Sequence, residues 1–257
     1  MPVPLEPDKY RSSPFFNPED FIGYIRRLGR LGSRAAPEAV ILSYQRSLFD
    51  YAAHEVPSTP ADGYFSKQMR YLDGTEGRVA IVGGFGVGAP AAAVMLEELI
   101  AFGVRRFVSV GTAGSLVASI PPGSLVLCDS ALRDEGTSYH YVPGGGLAYP
   151  SEVLTEKLSE ALSARGLAHA RGPAWTLDAI YRETPEEVRR FRDEGALVAE
   201  MEAAALFTVA RFREVEIAAC FSVSDTLAEL SWRPEFHAET TEAGLKLIFE
   251  AALDAVS

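Results

Sequence analysis

The sequence predicts an α/β fold, because short apolar runs of strand length alternate with longer segments of helical pattern. This alternation favours a largely parallel sheet with helices packed on its faces. The strand candidates are AVILS (39–43), RVAIVGG (78–84), RFVSVG (106–111), SLVLCDSAL (124–132) and EIAACFSVS (216–224). The helix candidates are residues 47–56, 89–103, 151–166, 184–195, 201–213 and 241–257.

The composition is that of an ordinary globular protein, with 47% hydrophobic and 23% charged residues in a chain of 257. A net charge of -11 argues against a general nucleic-acid surface, which needs a basic face. Cys128 and Cys220 lie in apolar runs and are expected to be reduced core residues, which favours a cytoplasmic location. No run is long and apolar enough for a signal peptide or a membrane span, and the four histidines form no metal-ligand pattern.

The domain organisation predicted from the sequence is an N-terminal extension, residues 1–35, followed by one domain, residues 36–257. Asn17 and Pro18 read as the N-cap and first residue of a short basic helix, EDFIGYIRRLGRLG (19–32). No repeat or long linker divides the rest of the chain.

The stretch VAEMEAAALFTVA (198–210) places Glu200 and Glu202 just before an apolar helical run. Residues two apart do not share a helix face, so the two carboxylates need separate partners. One interpretation is that both stabilise a helix N-terminus, where negative charge is favoured. The other is that at least one faces a cleft and binds a polyhydroxyl ligand.

Three further polar stretches follow strand candidates, at the edge of the sheet where α/β proteins bind ligands. They are GGFGVGAP (83–90), the turn from Gly111 to Ser115 in RFVSVGTAGSL, and Ser224-Asp225 in FSVSDTL. Each has a purely structural interpretation: a tight turn, a strand exit and a helix N-cap. Each also has a functional one: close backbone approach to a ligand, an oxyanion cradle, and an aspartic acid whose pKa burial raises.

Together these stretches resemble the nucleoside phosphorylase family, which contains purine nucleoside phosphorylases, uridine phosphorylases and related nucleosidases. The matching elements, in order, are GFGVGAP, RFVSVGTAGSL, TLDAIYRET, AEMEAAALF and SVSDTL, spanning about residues 78–228. The resemblance implies a single-domain three-layer α/β/α sandwich around a central mixed, partly closed β-sheet. It also implies a homo-oligomer, a dimer or a hexamer, whose active sites are shared between subunits.

The resemblance assigns a role to most of the quoted residues. Met201 would pack against the ribose, Glu202 would accept hydrogen bonds from its hydroxyls, and Glu200 would line the same pocket. Asp225 would protonate the leaving base. The base site would be formed by Ile180, Tyr181, Ser224 and Gly114. The stretch after Tyr181 lacks the glutamine with which uridine phosphorylases read uracil, which favours a purine, although LRDEGTSYHY looks more like the uridine branch.

The phosphate site departs from the family pattern. The family's G-D-P-x-R loop corresponds to AVILSYQRSLFDY, in which Arg46 could stand in for the arginine, and Ser109 occupies the place of a second arginine. Thr112 and Gly86 would complete the site. A missing cation could be replaced by Arg133, Lys67 or Arg70.

Three functions therefore stay open at the level of the sequence. The first is a purine nucleoside phosphorylase that uses inorganic phosphate as co-substrate and no cofactor. The second is a nucleosidase that uses water, because family hydrolases have a residue other than arginine at the position of Ser109. The third is a nucleoside-binding protein without activity. The partners expected are the nucleoside and phosphate, with no nucleic acid and no membrane.

Overall fold

The structure is a computed structural model that describes residue 6 and residues 9–257. Its strands are β1 (Ala39–Ser43), β2 (Ser58–Pro60), β3 (Met69–Leu72), β4 (Val79–Val82), β5 (Arg106–Ser115), β6 (Leu125–Asp134), β7 (Leu147–Ala148), β8 (His169–Leu177), β9 (Val198–Glu200), β10 (Glu216–Thr226) and β11 (Arg233–Pro234). Its α-helices are α1 (Pro18–Arg27), α2 (Arg46–His54), α3 (Ala89–Phe102), α4 (Glu152–Ala164), α5 (Pro185–Asp193), α6 (Ala203–Phe212) and α7 (Glu239–Val256).

The strands form one mixed sheet that closes on itself over part of its width. Strands β10, β6, β8, β9 and β5 follow one another, and β5 also pairs with β10, so these five strands make a closed ring. Strands β1, β4, β3 and β2 continue outward from β5 as an open sheet. The mixed, partly closed sheet that the resemblance implies is therefore confirmed. The largely parallel sheet expected from the alternation describes only part of it, since β3–β4, β5–β9 and β6–β10 are antiparallel.

Closure depends on the length of β5. Its first half pairs with β1 on one side, while Gly114 and Ser115 at its far end pair with β9 on that side. Its other side pairs with β10 along the whole strand. A strand of ten residues is long enough to belong to both the open sheet and the ring.

The two larger of three described hydrophobic cores flank the sheet, because successive side chains of a strand point to opposite faces. The third core contains Trp175 and Phe191. Val40 and Leu42 of β1 belong to one core, which also contains residues of α1, α3 and α6. Ala39 and Ile41 belong to the other, which contains residues of α2, α4 and α7. The three-layer α/β/α arrangement is thus confirmed, and both cysteines are buried and free within it.

The N-terminal helix begins where the sequence predicts and ends earlier. Asn17 caps α1 in a capping box with Asp20, and Pro18 is its first residue. The helix ends at Arg27 rather than at residue 32, because Gly29 and Gly32 adopt φ values of +67° and +107°. Its buried Ile22 joins the core that contains α3. Residues 1–5, 7 and 8 of the predicted extension lie outside the described residues.

Several strands were not predicted from the sequence. β8 contains Gly172 and Pro173, two residues that are disfavoured in strands, and it is nonetheless held between β6 and β9. β9 has three residues and lies directly before the helix predicted at 201–213, which in the structure begins at Ala203. In the described part of the chain, no helix has the length and apolar character to cross a membrane.

Candidate functional site

A cavity of about 680 Å³ opens at the carboxyl ends of β1, β5 and β10. Ten of the residues predicted for the site line it: Arg46, Thr112, Gly114, Ile180, Tyr181, Glu200, Met201, Glu202, Ser224 and Asp225. Ser109 and Gly86 are not among its described lining residues. Segments separated by up to 179 positions in sequence, from Arg46 to Asp225, are therefore brought to one place.

Glu200 and Glu202 have separate partners, as their spacing requires. The Glu200 carboxylate accepts hydrogen bonds from the backbone N–H groups of Glu202 and Ala203, both at 2.8 Å, and from the hydroxyl of Thr176. It therefore holds the amino end of α6, in agreement with the helix-terminus interpretation. Burial raises the pKa of Glu200, and these three donors offset part of that effect.

Glu202 faces the glycine-rich loop that precedes α3. Its Oε1 accepts a hydrogen bond from the backbone N–H of Gly88, which has a φ of +92° that a side chain would strain. Burial, followed by the nearby charge of Glu200, raises the pKa of Glu202. The glycine-rich loop therefore holds the Glu202 carboxylate through the backbone N–H of Gly88. The sequence had indicated a different glycine of this loop, Gly86, for the phosphate site.

Asp225 reaches the cavity because β10 carries a bulge. The register of β10 against β5 shifts between Val223 and Asp225, so Ser224 is the extra residue and the aspartate is re-aimed. Its Oδ1 accepts from the Ser224 hydroxyl at 2.9 Å and its Oδ2 from the Trp232 indole N–H at 3.0 Å. Burial raises the pKa of Asp225, and these two donors offset part of the rise.

Gly114 explains how Asp225 fits against β5. A Cβ atom at residue 114 would lie 3.0 Å from Asp225 Oδ2 and 3.3 Å from its Cγ, closer than ordinary contacts. The glycine therefore makes room for the carboxyl group, and a larger residue would displace it.

Glu183 is another carboxylate on the cavity wall, and no motif in the sequence selects it. Burial, followed by the charge of Asp225, raises its pKa to about 7. It comes from the loop before α5, whose N-cap Thr184 forms a capping box with Glu187. The signal that could have indicated Glu183 is its position two residues after Tyr181, in the stretch that the resemblance assigns to the base.

The amino end of α2 forms another part of the wall, with Gln45, Arg46 and Ser47 next to Thr112. The Gln45 Nε2 donates to the Thr112 hydroxyl at 2.9 Å, and the buried Gln45 Oε1 has no hydrogen-bond partner among the described residues. With the amide turned over and Thr112 donating to Oε1, the Gln45 NH₂ group would point where that oxygen now lies. No described side chain caps α2, so its first N–H groups are free to bind an anion.

Arg46 is the one arginine among the described lining residues. Its side chain is 92% exposed and pairs with Asp50 at 3.2 Å, so it can reorient toward a ligand.

The other cationic candidates from the sequence are less suited to bind an anion in the cavity. Arg133 is held by Ser138, by three backbone carbonyls and by the ring of Tyr139. Arg70 donates to the hydroxyl and the carbonyl of Ser58. Neither Arg133, Arg70 nor Lys67 is among the described lining residues.

Ser109 is buried below the cavity and bonded to a tyrosine. Its hydroxyl lies 3.0 Å from the Tyr44 hydroxyl, and Tyr44 itself lines the cavity. Burial, followed by the charge of Glu202, raises the pKa of Tyr44 well above its usual value, so its proton is retained. The Tyr44–Ser109 pair thus fills the space where the resemblance expects the second arginine.

The segment between β10 and α7 contributes Leu227, Trp232, Phe236 and His237 to the described lining. Of these, only Leu227 belongs to a stretch that the sequence indicated, as the last residue of SVSDTL. Trp232 and Phe236 follow no helix or strand periodicity in the sequence, so no pattern indicated them. They reach the cavity because the segment returns across β10.

The fold and the site define an α/β protein of the nucleoside phosphorylase type. The chain belongs to the phosphorylase superfamily, whose family model matches residues 38–256. A guanosine phosphorylase of Halorubrum lacusprofundi is 36% identical over 143 residues, which cover 55% of this chain and 59% of that protein. A DeoD-type purine nucleoside phosphorylase of Bacillus cereus is 29% identical over 182 residues, covering 70% of this chain and 76% of that protein.

A solved structure supports the same fold. The AMP nucleosidase of Bacteroides thetaiotaomicron superposes with a TM-score of 0.70 over 91% of this chain and 95% of that chain. At 22% sequence identity, this similarity concerns the fold alone.

Proposed function

We propose that this protein cleaves the N-glycosidic bond of a purine nucleoside with inorganic phosphate, releasing the free base and ribose 1-phosphate. The observation that carries the proposal is that Glu202 and Asp225, each buried and each held by named donors, line one cavity large enough for a nucleoside. The purine preference is supported by the names of the two relatives, a guanosine phosphorylase and a purine nucleoside phosphorylase.

The chemistry follows from the two carboxyl groups. As the bond between C1′ and the base nitrogen breaks, its electron pair moves to the base. The Asp225 carboxyl group, whose pKa is raised by burial, donates a proton to a base nitrogen. The ribose gains oxocarbenium character, and this positive charge favours the ionised form of Glu202, against the effect of burial. The resulting carboxylate stabilises the sugar and accepts hydrogen bonds from ribose hydroxyls. A phosphate oxygen then forms the new bond to C1′.

The phosphate is expected at the amino end of α2. Free N–H groups of the helix, the Thr112 hydroxyl, the Gln45 amide and the mobile charge of Arg46 would surround it. This arrangement relies on dipoles more than on full charges, which agrees with the absence of the second family arginine at Ser109.

Hydrolysis is the second candidate function, and one observation favours it. The described lining contains five carboxylates (Glu183, Glu200, Glu202, Asp225 and Glu242) but only one arginine and one histidine, a balance that opposes the binding of an anion. Water would then replace phosphate as the group that attacks C1′.

Product analysis separates the candidates. The purified protein is incubated with inosine, guanosine, adenosine and uridine, each with and without phosphate, and bases and sugars are quantified. Ribose 1-phosphate formed only with phosphate supports phosphorolysis, and free ribose formed equally without phosphate supports hydrolysis. If no nucleoside is cleaved but purine nucleosides bind, the protein is a binding module and the proposal is wrong.

The homo-oligomer with shared sites and the cytoplasmic location stay predictions. Light scattering of the purified protein tests the first, since a monomer that cleaves nucleosides at full rate would contradict shared sites.

A further inference from the structure

Trp232 combines two properties that rarely occur together. Its side chain is 61% exposed, yet its indole N–H donates at 3.0 Å to the buried carboxyl of Asp225. It lies on the segment between β10 and α7, beside the pairing of Asp225 with Pro234. The ring is thus attached to the cavity by its polar edge, while much of its apolar surface faces solvent.

The second tryptophan, Trp175, provides a comparison, because its indole is part of a hydrophobic core. Trp175 also donates its N–H to an aspartate, Asp134, at 3.0 Å, but it is 1% exposed and stacks on Phe191 at 4.4 Å. The same polar contact therefore occurs once with the ring packed in a core and once with the ring uncovered at a cavity.

The surroundings of Trp232 are suited to a flat apolar ligand. Phe236, Ile180 and Tyr181 also line the cavity and are also exposed. Trp232 and Phe236 have ring centroids 6.3 Å apart at an angle of 54°, so neither ring covers the face of the other. Exposed apolar surface beside a cavity indicates a binding surface, and every nucleobase offers a π face for stacking.

We propose that Trp232 is a positioning residue that orients the Asp225 carboxyl through its indole N–H and covers one face of the bound base. The proposal deepens the proposed function, on which the acid role of Asp225 rests.

The positioning role rests on the two hydrogen bonds that the Asp225 carboxyl group accepts. Ser224 holds Oδ1 and Trp232 holds Oδ2, so the plane of the carboxyl group is fixed from both sides. When the base nitrogen takes the proton from Asp225, both oxygens of the resulting carboxylate still accept a hydrogen bond. The indole thus stabilises the ionised form that proton transfer produces.

Two variants separate the two parts kinetically. Trp232→Phe keeps a ring but removes the donor, and we expect kcat to fall about 10-fold with the nucleoside KM within about twofold, the effect of one hydrogen bond to a charged group. Trp232→Ala removes both, and the nucleoside KM should also rise about 10-fold, within the range of a lost base–aromatic stack. Unchanged kinetics in both variants would overturn the proposal.

The pH dependence of kcat distinguishes positioning from a merely structural role. Glu183 is the ionisable group that interacts with Asp225 from the neighbouring loop, and it is left intact in every variant. Loss of a donor to the ionised carboxylate should raise the pKa of Asp225. In Trp232→Phe, the alkaline limb of the pH profile of kcat should therefore shift to higher pH by about one unit. Trp232→His, which restores an N–H on a planar ring, should return the limb toward the original value. A limb that stays in place in Trp232→Phe would refute positioning.

Fluorescence provides a readout that does not depend on turnover. The chain has two tryptophans, so the difference between the wild-type and Trp232→Phe spectra is the emission of Trp232. In the free protein this emission should change with pH, and Asp225→Asn should abolish the change. Emission that does not respond to pH would refute the contact between the two residues.

Binding of a free base tests the second part. Saturation with hypoxanthine, verified by calorimetry, should change the Trp232 emission, because the bound base then stacks on the indole ring. A bound base that leaves the emission unaltered, or no binding of hypoxanthine, guanine or adenine, would overturn the covering role. If the protein binds and stacks a base but cleaves no nucleoside, the proposed function fails while this contact stands.

Discussion

Three buried carboxylates, Glu200, Glu202 and Asp225, line the same cavity as the amino end of α2 but are held differently. Glu200, Glu202 and Asp225 are at most 7% exposed, and each accepts hydrogen bonds from identified donors. At the amino end of α2, Arg46 is almost fully exposed and Gln45 Oε1 lacks a partner among the described residues. The carboxylates are thus held in place by several donors, whereas the amino end of α2 keeps an exposed arginine and an unpartnered amide oxygen.

This difference shows which groups are in place before a ligand binds. Preorganised groups lower the barrier of a reaction because they need no rearrangement in the transition state. Under the proposed function, the carboxylates would serve cleavage of the glycosidic bond, whichever group attacks it. Under the proposed function, the amino end of α2 would decide between phosphate and water, and it is the region where this sequence departs most from the family pattern.

The largest effect is expected for Asp225→Asn. It keeps the size of the side chain and one of the two acceptor contacts, because an amide has one acceptor oxygen where the carboxyl group has two. It also removes the acid, so kcat should fall roughly 10²- to 10⁴-fold, the usual contribution of general acid catalysis. Steady-state kinetics with inosine measure it. Asp134→Asn is the matched control, because Asp134 also accepts from an indole but does not line the cavity. A kcat within twofold of the wild type would remove Asp225 from the mechanism.

Glu202→Gln should follow, with kcat roughly 10²- to 10³-fold lower, comparable to the loss of one preorganised electrostatic group. Glu98→Gln is a control, since Glu98 is a half-buried carboxylate that accepts from Tyr64 away from the cavity. Retained turnover and retained ribose binding would return Glu202 to a structural role at the helix end.

Two alanine substitutions on β5 compare the regions directly. At Gly114 a Cβ would press on Asp225 Oδ2 at 3.0 Å, and at Gly111 it would press on Tyr44 Cδ2 at 3.1 Å. Gly114→Ala should lower kcat about 10- to 100-fold, because small displacements of a reacting group are costly. Gly111→Ala should act mainly on the KM for phosphate. If both variants change the same kinetic parameter, the two regions do not act separately.

Arg46→Ala tests the acceptor site. Loss of one exposed charge should raise the phosphate KM about 3- to 10-fold and leave kcat nearly constant. Arg190→Ala is a matched control, because Arg190 forms an ion pair of the same i,i+4 spacing and the same 3.2 Å distance outside the cavity. A rate that depends on phosphate but is insensitive to Arg46 would shift the site to other donors.

The smallest effect concerns stability and Glu183. Its folded-state pKa of about 7 lies above the ordinary glutamate value, so its stabilising contribution is complete below about pH 4.5 and is lost as the pH rises through 7. Glu183→Gln removes this loss and should raise the unfolding free energy at pH 8 by roughly 1 kcal/mol after allowance for solvent screening. Thermal unfolding at pH 5 and pH 8 measures it. A variant that is less stable than the wild type at pH 8 would show that the carboxylate has an attractive partner.

The alternation of apolar runs was sufficient for the main helices and for β1, β4, β5, β6 and β10, because core packing on both faces imposes that pattern. It was insufficient for β8 and β9. β8 contains Gly172 and Pro173, and β9 is a three-residue strand held only by its neighbours. Their pairing is a tertiary interaction that overrides local propensity.

The sequence by itself determined the class of fold, the family and the positions of Glu202 and Asp225, because these residues sit in short motifs at strand and helix ends. The tertiary structure alone decided what each carboxylate does. Glu200 holds α6, Glu202 is held by Gly88, and Asp225 is re-aimed by the bulge at Ser224. It also brought Trp232 and Glu183 to the cavity. Hydrogen-bond partners and burial depend on chain segments far apart in sequence, and no local pattern records which segments will meet.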